Sequence, residues 1–178
     1  MKKKIVFFDG DGTLWYPRKT KDKEKSFWVY DLPGDHKKHC EYLMLRPHVV
    51  RTLRKLKRRG IVTVILSAHP HETKLAYEVI SHKVKYFKID KLFDEVHPSK
   101  VYIEAKGEMI LKILKERGLK KKDALMVGDN YIWDCKSALN VGVDGLLVYT
   151  EHQFRRFPRL NNKVKRVIRN LSELLDYV

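Results

Sequence analysis

The chain lacks the long apolar segments that would place it in a membrane. None of its apolar runs approaches the roughly 20 residues that a membrane-spanning helix needs. Its first residues, Met-Lys-Lys-Lys, precede a short apolar run and two aspartates, without the apolar core and small-residue cleavage site of a signal peptide. We therefore expect a cytoplasmic protein that has no membrane partner.

Cysteine is also scarce, since the 178 residues include only Cys40 and Cys135. These two form no C-x-x-C pair, and nothing in their spacing requires a disulfide. This excludes a disulfide-rich secreted scaffold and predicts two reduced thiols. The sequence also has no internal repeat and no low-complexity segment, which excludes a repeat architecture.

Acidic residues are few relative to basic ones. The chain has 22 Asp and Glu against 38 Lys and Arg, for a net charge of +16. Such an excess attracts polyanions, nucleic acids among them. Because a solvated basic surface is the more common explanation of such a composition, nucleic acid is an alternative partner here rather than the first expectation.

The pattern of apolar residues predicts one α/β domain. With 178 residues, 43% of them hydrophobic, the chain suits a single domain over 1–178 with a small insertion. The predicted strands cover 5–8, 61–66, 95–98, 124–127 and 145–149, and the predicted helices cover 47–59, 72–82, 106–117, 131–140 and 164–177. Residues 151–162 are expected to form an irregular basic connection. Strands alternating with helices predict a doubly wound, mainly parallel, Rossmann-like sheet.

Residues 17–45 interrupt this alternation. The stretch 16–25 is polar and basic, so it cannot belong to the core and is expected to be a mobile excursion. Residues 26–32 and 42–45 have the composition of short strands, and the turn residues 33–35 lie between them. We expect a small flap with a β-hairpin over the mouth of a site, too short to be an independent domain.

The flap contains an H-x-x-H-C cluster formed by His36, His39 and Cys40. Imidazole and thiolate groups are ligands of Zn²⁺. A zinc site needs three or four ligands, however, and the neighbouring Lys37 and Lys38 repel a cation. An exposed loop is therefore the favoured interpretation of this cluster.

The stretch K-I-V-F-F-D-G-D-G-T is the most informative in the chain. Asp9 and Asp11 follow the apolar run 5–8 directly, at the carboxyl end of a predicted buried strand, where open parallel sheets bind their ligands. Two close carboxylates repel each other unless a cation lies between them, and Mg²⁺ prefers such oxygen ligands. The backbone at Gly10 and Gly12 is free to turn and to present N–H groups to an anion. The alternative interpretation is an Asp-Gly turn that closes a hairpin.

Four later residues extend this pattern. Ser67 follows the second apolar run, and its hydroxyl could donate to a phosphoryl oxygen, although a serine in this position is more often a helix N-cap. Asp129 follows the run 124–127, with Asp134 shortly after it. Lys106 lies at a helix start, where a cation opposes the helix dipole and costs a little stability, so this placement favours a functional reason for the lysine.

In this order, the motifs resemble those of the haloacid dehalogenase-like hydrolase superfamily, most of whose members are phosphatases. Residues 9–13 resemble its D-x-D-G-T motif, Ser67 its second motif, Lys106 its third, and the stretch 128–134 its G-D-x-x-x-x-D motif. The resemblance covers nearly the whole chain except 17–45. The first and fourth motifs together are specific, whereas a lone serine or lysine is not.

Within that superfamily, Leu14-Trp15 and the short insertion look most like the magnesium-dependent phosphatase-1 branch, which has no large cap. The chain departs from the family pattern at two places. Gly107 follows Lys106 where many members have proline, and Ala68 rather than a polar residue follows Ser67. Lys100 is an alternative candidate for the third motif.

The resemblance implies a role for each motif residue. Asp9 would attack phosphorus, and Asp11 would protonate the leaving alcohol and then deprotonate the hydrolytic water. Mg²⁺ would be held by Asp9, the Asp11 backbone carbonyl and Asp129, with Asp134 either a water-mediated ligand or an orienter of Lys106. The implied phosphate-binding residues are Gly10, Asp11, Gly12, Thr13, Ser67, Ala68 and Lys106.

The expected function is therefore magnesium-dependent hydrolysis of a small-molecule or peptide phosphomonoester through an aspartyl-phosphate. Asp11 argues against a dehalogenase, whose reaction has no leaving alcohol to protonate. The alternatives are a nucleic-acid-binding or nucleic-acid end-processing phosphatase, suggested by the charge, and a phosphotyrosine protein phosphatase. A mutase must exclude water from its intermediate, and the flap looks too small for that. The oligomeric state stays open between monomer and homodimer.

Overall fold

The computed structural model shows an α/β sandwich with a parallel sheet at its centre. The described residues are 2–25, 29, 32, 35, 38–157, 164 and 166–178. Within these, no helix is long and apolar enough to cross a membrane.

Eight strands and five α-helices alternate along the described chain. The strands are β1 (Ile5–Phe8), β2 (Trp15–Pro17), β3 (Leu43–Leu45), β4 (Val62–Ala68), β5 (Glu95–Ser99), β6 (Ala124–Gly128), β7 (Asp144–Val148) and β8 (Val167–Ile168). The α-helices are α1 (Val49–Arg58), α2 (Thr73–Tyr86), α3 (Ala105–Glu116), α4 (Ser137–Asn140) and α5 (Glu151–Arg156). A π-helix spans Tyr131–Lys136, and 3₁₀ helices span Lys38–Tyr42, Asp90–Leu92, Lys121–Asp123 and Leu171–Asp176.

The main sheet has six parallel strands in the order β5-β4-β1-β6-β7-β8. This confirms the predicted doubly wound, mainly parallel sheet. β1 lies in the middle, where Phe7 pairs with Val64 on one side and Met126 on the other. All four side chains of β1 are fully buried, which explains why its sequence is an uninterrupted apolar run.

The alternation of side chains along β1 produces two core layers. On one face, Val6 and Phe8 pack in a cluster with α1 and α2 residues such as Leu53 and Ile80. On the other face, Ile5 and Phe7 pack with α3 residues, Ile110 among them. The sheet therefore has helices on both faces, and its carboxyl edge stays open for a site.

The hairpin of the flap is built differently from the sequence expectation. The returning strand β3 lies where residues 42–45 predicted it, but it pairs antiparallel with β2, Trp15 opposite Leu45. The predicted strand over 26–32 and the turn at 33–35 lie largely outside the described residues.

Two expectations near the C-terminus were wrong. Residues 151–162 were expected to be irregular, yet Glu151–Arg156 is helical because the Thr150 side chain caps it, accepting from the Gln153 N–H at 3.4 Å. The expected helix over 164–177 is instead β8 followed by a 3₁₀ helix. β8 adds in parallel to the edge of β7, and Asn170 then caps the turn that starts at Leu171. The spacing of the apolar residues fits both arrangements, so only pairing with β7 decides between them.

Replacing Ile168 tests the strand assignment. Ile168 is fully buried in the larger core cluster, so Ile168→Ala should lower the free energy of unfolding by about 2–5 kcal/mol in urea titrations. Val167→Ala is the matched control, because Val167 points to the opposite side and is only partly buried, and it should cost less. Equal losses would favour a helix in which both side chains share one apolar face.

Candidate active site

Three neighbouring strands end at one pocket. Because β1 lies between β4 and β6, the carboxyl ends of all three meet at the same edge of the sheet. The pocket at this edge is lined by Asp9 after β1, Ser67 in β4 and Asp129 after β6, together with Asp11 and Lys106. The structure thus brings together residues that lie up to 120 positions apart in the sequence (Asp9 to Asp129).

Lys106 reaches the pocket from the first turn of α3 and is almost fully buried. Its Nζ donates to Oδ1 of Asp9 and to Oδ1 of Asp134, both at 2.5 Å. Burial alone lowers the pKa of Lys106, but the ion pairs with Asp134 and Asp9 outweigh burial and raise it, so this lysine is a permanent cation. Lys100, the alternative candidate, is exposed after β5 and lines a different pocket.

Asp134 is fully buried between two donors. One carboxylate oxygen accepts from Lys106, and the other accepts from the backbone N–H of Asn130 at 2.9 Å. A Cβ at Gly128 would lie 2.1 Å from this carboxylate, so a glycine is required there. Of the two roles left open by the sequence, these contacts favour orientation of Lys106.

Gly107 explains one departure from the family pattern. Its backbone N–H donates to Oγ of Ser137 at 2.9 Å, and a Cβ on it would lie 2.6 Å from the Ser137 carbonyl oxygen. A proline would remove this donor and clash with the same backbone. The Gly107–Ser137 contact joins α3 to α4 closely and so fixes the position of the neighbouring Lys106.

The carboxylates of the pocket form a compact cluster. One oxygen each from Asp9, Asp129 and Asp134 lies within 4.8 Å of the others. Burial raises the pKa of Asp9 to about 7, with repulsion from Asp134 and Asp11 adding to it and Lys106 opposing it. Burial also raises the pKa of Asp129 well above its usual range, with repulsion from Asp9 and Asp134 as the next causes.

This donor set fits a magnesium ion. Carboxylate oxygens are the ligands that Mg²⁺ prefers, and a dication would relieve the repulsion that raises both pKa values. Asp134 already binds Lys106 and Asn130, so Asp9 and Asp129 are the carboxylates best placed to hold the metal.

The turn after β1 carries the glycine-rich part of the first motif. The carbonyl of Gly10 accepts from the N–H groups of Thr13 and Leu14, at 3.2 and 2.8 Å. Gly12 has a φ of 83°, and a Cβ on it would lie 2.4 Å from a carboxylate oxygen of Asp129. Both its conformation and its space therefore require glycine. Thr13 is fully buried, with its Oγ1 3.4 Å from Asp129 Oδ1.

Ser67 and Ala68 are the last two residues of β4. Both line the pocket, and Ser67 is almost fully buried. The hydroxyl of Ser67 is thus held near Asp9 on the side of the site opposite Asp129.

Within the described part of the chain, Asp11 contacts two donors that the motifs did not reveal. Its Oδ1 accepts from Nε1 of Trp15 at 2.9 Å, and Nζ of Lys83 lies 3.1 and 3.3 Å from its two oxygens. Lys83 belongs to α2 and is fully buried. Lys83 was not among the predicted site residues, although its spacing from the buried Ala76 and Ile80 places it on the apolar face of α2.

Two segments form the rim of the pocket. Lys21, Asp22 and Lys25 come from the chain after β2, and Thr150, His152 and Gln153 come from the start of α5. The N–H of His152 donates to the carbonyl of Asp22 at 3.0 Å, which joins the two segments. Burial lowers the pKa of His152, with the nearby Lys25 as the next cause, so its neutral form is favoured.

Arg46 is a second residue that the sequence analysis missed. It is only 8% exposed, and its Nη2 contacts a carboxylate oxygen of Asp22 at 3.7 Å and the carbonyl of Tyr149 at 3.3 Å. Its guanidinium also lies over the ring of Tyr16, 5.2 Å from the centroid. Arg46 thereby fastens the rim segment to the end of β7. A single arginine before a proline gives no sequence signal of this role.

The H-x-x-H-C cluster is not the exposed loop that was expected. His39 and Cys40 are buried in a 3₁₀ helix, and Nε2 of His39 lies 3.2 Å from the carbonyl of Leu32. Burial raises the pKa of the Cys40 thiol to about 11. His36 lies outside the described residues. Among the residues that the structure covers, the one acidic, cysteine or histidine group spaced for a metal is Asp9, Asp129 and Asp134.

Comparison with known sequences gives an independent result. A family model described as haloacid dehalogenase-like hydrolase matches residues 11–148, a range that begins just after Asp9. A protein of Caldanaerobacter subterraneus subsp. tengcongensis, provisionally named pyrophosphatase PpaX, is 30% identical over 146 residues. The match covers 81% of this chain and 63% of that relative, so the chain spans less than two thirds of its length.

Solved structures resemble the whole chain in fold. A haloacid dehalogenase phosphatase from Thermococcus onnurineus superposes with a TM-score of 0.71 at 22% identity, covering 99% of this chain and 97% of that one. A structure described as a predicted phosphatase from Clostridium acetobutylicum gives a TM-score of 0.72 at 18% identity, covering 99% and 98%.

The charge cluster predicts how stability depends on pH and metal. The pKa of folded Asp9 lies above its unfolded value of 3.8, so the stability that this group contributes is complete below pH 3.8 and is lost as pH rises through about 7. With a chelator present to remove metal ions, the melting temperature should fall as pH rises from 3.8 through about 7. Magnesium should raise it at pH 8, by about 5–10 °C at a hundredfold excess over its Kd.

Asp129→Asn is the variant that checks this prediction by calorimetry. It removes one negative charge and one metal ligand. Both the fall of the melting temperature with rising pH and its increase with magnesium should therefore be smaller than in the wild type. Asp90→Asn, on an exposed 3₁₀ helix, is the matched control and should behave like the wild type. A magnesium shift that survives in Asp129→Asn would contradict the assignment of the ligand.

Proposed function

The chain belongs to the haloacid dehalogenase-like hydrolase family, and from this premise we propose that it is a magnesium-dependent phosphatase that hydrolyses phosphomonoesters through an aspartyl-phosphate on Asp9. One observation carries the proposal. The Asp9 carboxylate lines a pocket that is also lined by Asp129, Ser67, Lys106 and Asp11. These are a nucleophile, a metal ligand, two groups that bind phosphoryl oxygens and a group that transfers protons.

In the first half of the reaction, Asp9 attacks phosphorus. An oxygen–phosphorus bond forms, the bond to the leaving oxygen breaks, and its electron pair stays on that oxygen, which takes a proton from Asp11. Lys106 and Ser67 bind the phosphoryl oxygens while the charge on them redistributes. Asp134 keeps the Lys106 ammonium at the phosphate side of Asp9, through the 2.5 Å contact described above.

In the second half, Asp11 accepts a proton from water as the water oxygen attacks phosphorus. The bond between phosphorus and Asp9 breaks, its electron pair returns to the Asp9 carboxylate, and inorganic phosphate leaves. Magnesium, when bound, shields Asp9 from the negative phosphate and stabilises the transferring group. Asp9, Asp129 and the backbone carbonyl of Asp11 would hold it.

The rim supports a small leaving group. Lys21, Asp22 and Lys25 line the pocket, and Arg46 and the N–H of His152 hold this segment in place through Asp22. A fixed rim beside the reacting groups favours a small leaving group over a folded phosphotyrosine protein, so we place a small-molecule phosphomonoester first. The short 17–45 segment in place of a large cap supports the magnesium-dependent phosphatase-1 branch. The relative named as a pyrophosphatase makes a diphosphate the substrate to test beside monoesters.

A second candidate function, binding of nucleic acid, has one observation in its favour. Four cations, Arg51, Arg54, Lys55 and Arg58, recur at the spacing of one helical face on α1, and α1 has no acidic residue in its first turn. Like charges at this spacing destabilise a helix. The phosphates of a nucleic acid bound along these four cations would neutralise their repulsion. Such binding would hold an end-processing phosphatase on its nucleic-acid substrate.

Substitutions of the two motif aspartates test the phosphatase. With an aryl phosphate and Mg²⁺, Asp9→Asn should abolish turnover because it removes the nucleophile, and Asp11→Asn should lower it by about 10²–10⁴-fold. Asp90→Asn should retain wild-type turnover. Excess chelator should abolish the turnover of the wild type and of Asp90→Asn. The assignment of Asp9 as nucleophile would be contradicted by undiminished turnover in an Asp9→Asn protein that circular dichroism shows to be folded.

Replacing the four α1 cations, Arg51, Arg54, Lys55 and Arg58, by glutamine tests the binding of nucleic acid. If they contact a single-stranded oligonucleotide, the slope of log K against log salt should become shallower by about 3, measured by fluorescence anisotropy. The matched control replaces Lys112, Lys115, Lys121 and Lys122, which are exposed on the other side of the sheet. Equal slopes in the two variants would mean that the net charge of the protein, and not these four residues, accounts for the binding.

A further inference from the structure

Lys83 is a lysine in an unusual place. Its side chain is fully buried on the core face of α2, among residues such as Val79, Ile80 and Val84. Burying an ammonium group is unfavourable unless it is paired, and an apolar side chain of similar length would fill the space with a smaller loss of free energy. The position therefore suggests that the charge itself has a use.

The contacts of Lys83 converge on Asp11. Nζ of Lys83 lies 3.1 and 3.3 Å from the two carboxylate oxygens, and the Trp15 indole donates to one of them at 2.9 Å. An ammonium and an indole N–H are donors only. Both oxygens of Asp11 therefore act as acceptors, and the two donors fix the position and the orientation of this carboxylate.

The surroundings keep this arrangement rigid. Lys83 lies 5.4 Å over the Trp15 ring, and Phe87, one turn further along the chain, stacks on the same ring at 6.0 Å. On its other side, the Trp15 ring fills the space that a Cβ of Gly10 would need, at 2.6 Å. Trp15 is thus wedged between the first motif and α2, and the Asp11 carboxylate has a fixed place beside the pocket.

We propose that Lys83 is a positioning residue that holds the Asp11 carboxylate for the second half of the reaction. This inference rests on the proposed function, in which Asp11 becomes ionised when it protonates the leaving group. Asp11 must then accept a proton from water while the water oxygen bonds to phosphorus. The bond from phosphorus to Asp9 breaks, and its electron pair returns to Asp9. Lys83 holds the carboxylate in the place and orientation that this step requires.

Lys83→Met tests the proposal, with Lys85→Met as the matched control on the exposed face of the same helix. In Lys83→Met, hydrolysis of the aspartyl-phosphate should become rate-limiting, and steady-state turnover of p-nitrophenyl phosphate should fall by about 10–100-fold. A rapid-mixing experiment should show a nitrophenol burst approaching one equivalent per enzyme. Acid quenching with labelled substrate should retain the label on the protein. Lys85→Met should match the wild type in each measurement.

The leaving group separates positioning from a merely structural role. If hydrolysis limits Lys83→Met, alkyl and aryl phosphates should turn over at the same rate, because they share one intermediate. A structural defect would slow both halves together, with no burst and with the preference of the wild type for the better leaving group retained. That result, or turnover within twofold of Lys85→Met, would overturn the proposal.

Two controls keep the test decisive. If Lys83→Met does not fold, Trp15→Phe removes the second donor to Asp11 while keeping a ring, and it should show a burst larger than that of the wild type. The absence of that increase would then count against the proposal. A wild-type chain without magnesium-dependent turnover and without a phosphoenzyme would overturn the proposed function as well. An active wild type with no accumulation in the variants would overturn only the role of Lys83.

Discussion

Compensation of buried negative charge is the constraint on which the rest of this structure depends. Three carboxylates, Asp9, Asp129 and Asp134, converge within 4.8 Å at the carboxyl edge of the sheet, where burial raises the pKa of the first two. Such a cluster is stable only if cations share the space. Lys106 supplies one positive charge from within the protein, and the remaining charge favours a dication. The repulsion between these buried carboxylates is thus the property that favours a bound cation at this edge of the sheet.

The packing around the site serves this placement of charge. Lys106 can contact Asp9 only because α3 approaches α4 closely at Gly107, and Asp134 can contact Lys106 only because Gly128 has no side chain in its way. Gly12 leaves room for Asp129 in the same manner. A methyl group would collide with a carboxylate of the site at Gly12 and at Gly128, and with the backbone of Ser137 at Gly107. Small residues therefore determine the electrostatics here as much as the charged residues do.

The sequence predicted the parts of the site that belong to continuous motifs. Asp9, Ser67 and Asp129 each follow an apolar run, and the parallel sheet brings such run ends together at one edge, so strand prediction located them. Lys83 and Arg46 were not predicted, because only long-range packing joins them to the site and because a lysine on a helix usually points to solvent. The segment after Val164 was wrongly predicted as a helix because two apolar residues next to a 3₁₀ turn have no distinct period. Pairing with β7, which no local pattern encodes, makes it a strand.

The two aspartates of the first motif lie only two residues apart, yet each contacts a different lysine. Asp9 contacts Lys106 from α3, and Asp11 contacts Lys83 from α2, on opposite faces of the sheet. A doubly wound sheet is what makes this possible, because helices on either face can both reach the end of its central strand. Two neighbouring carboxylates of identical chemistry can in this way have different electrostatic surroundings. In the function proposed above, one carboxylate attacks phosphorus and the other transfers protons, and the topology gives the two these different surroundings before any substrate is bound.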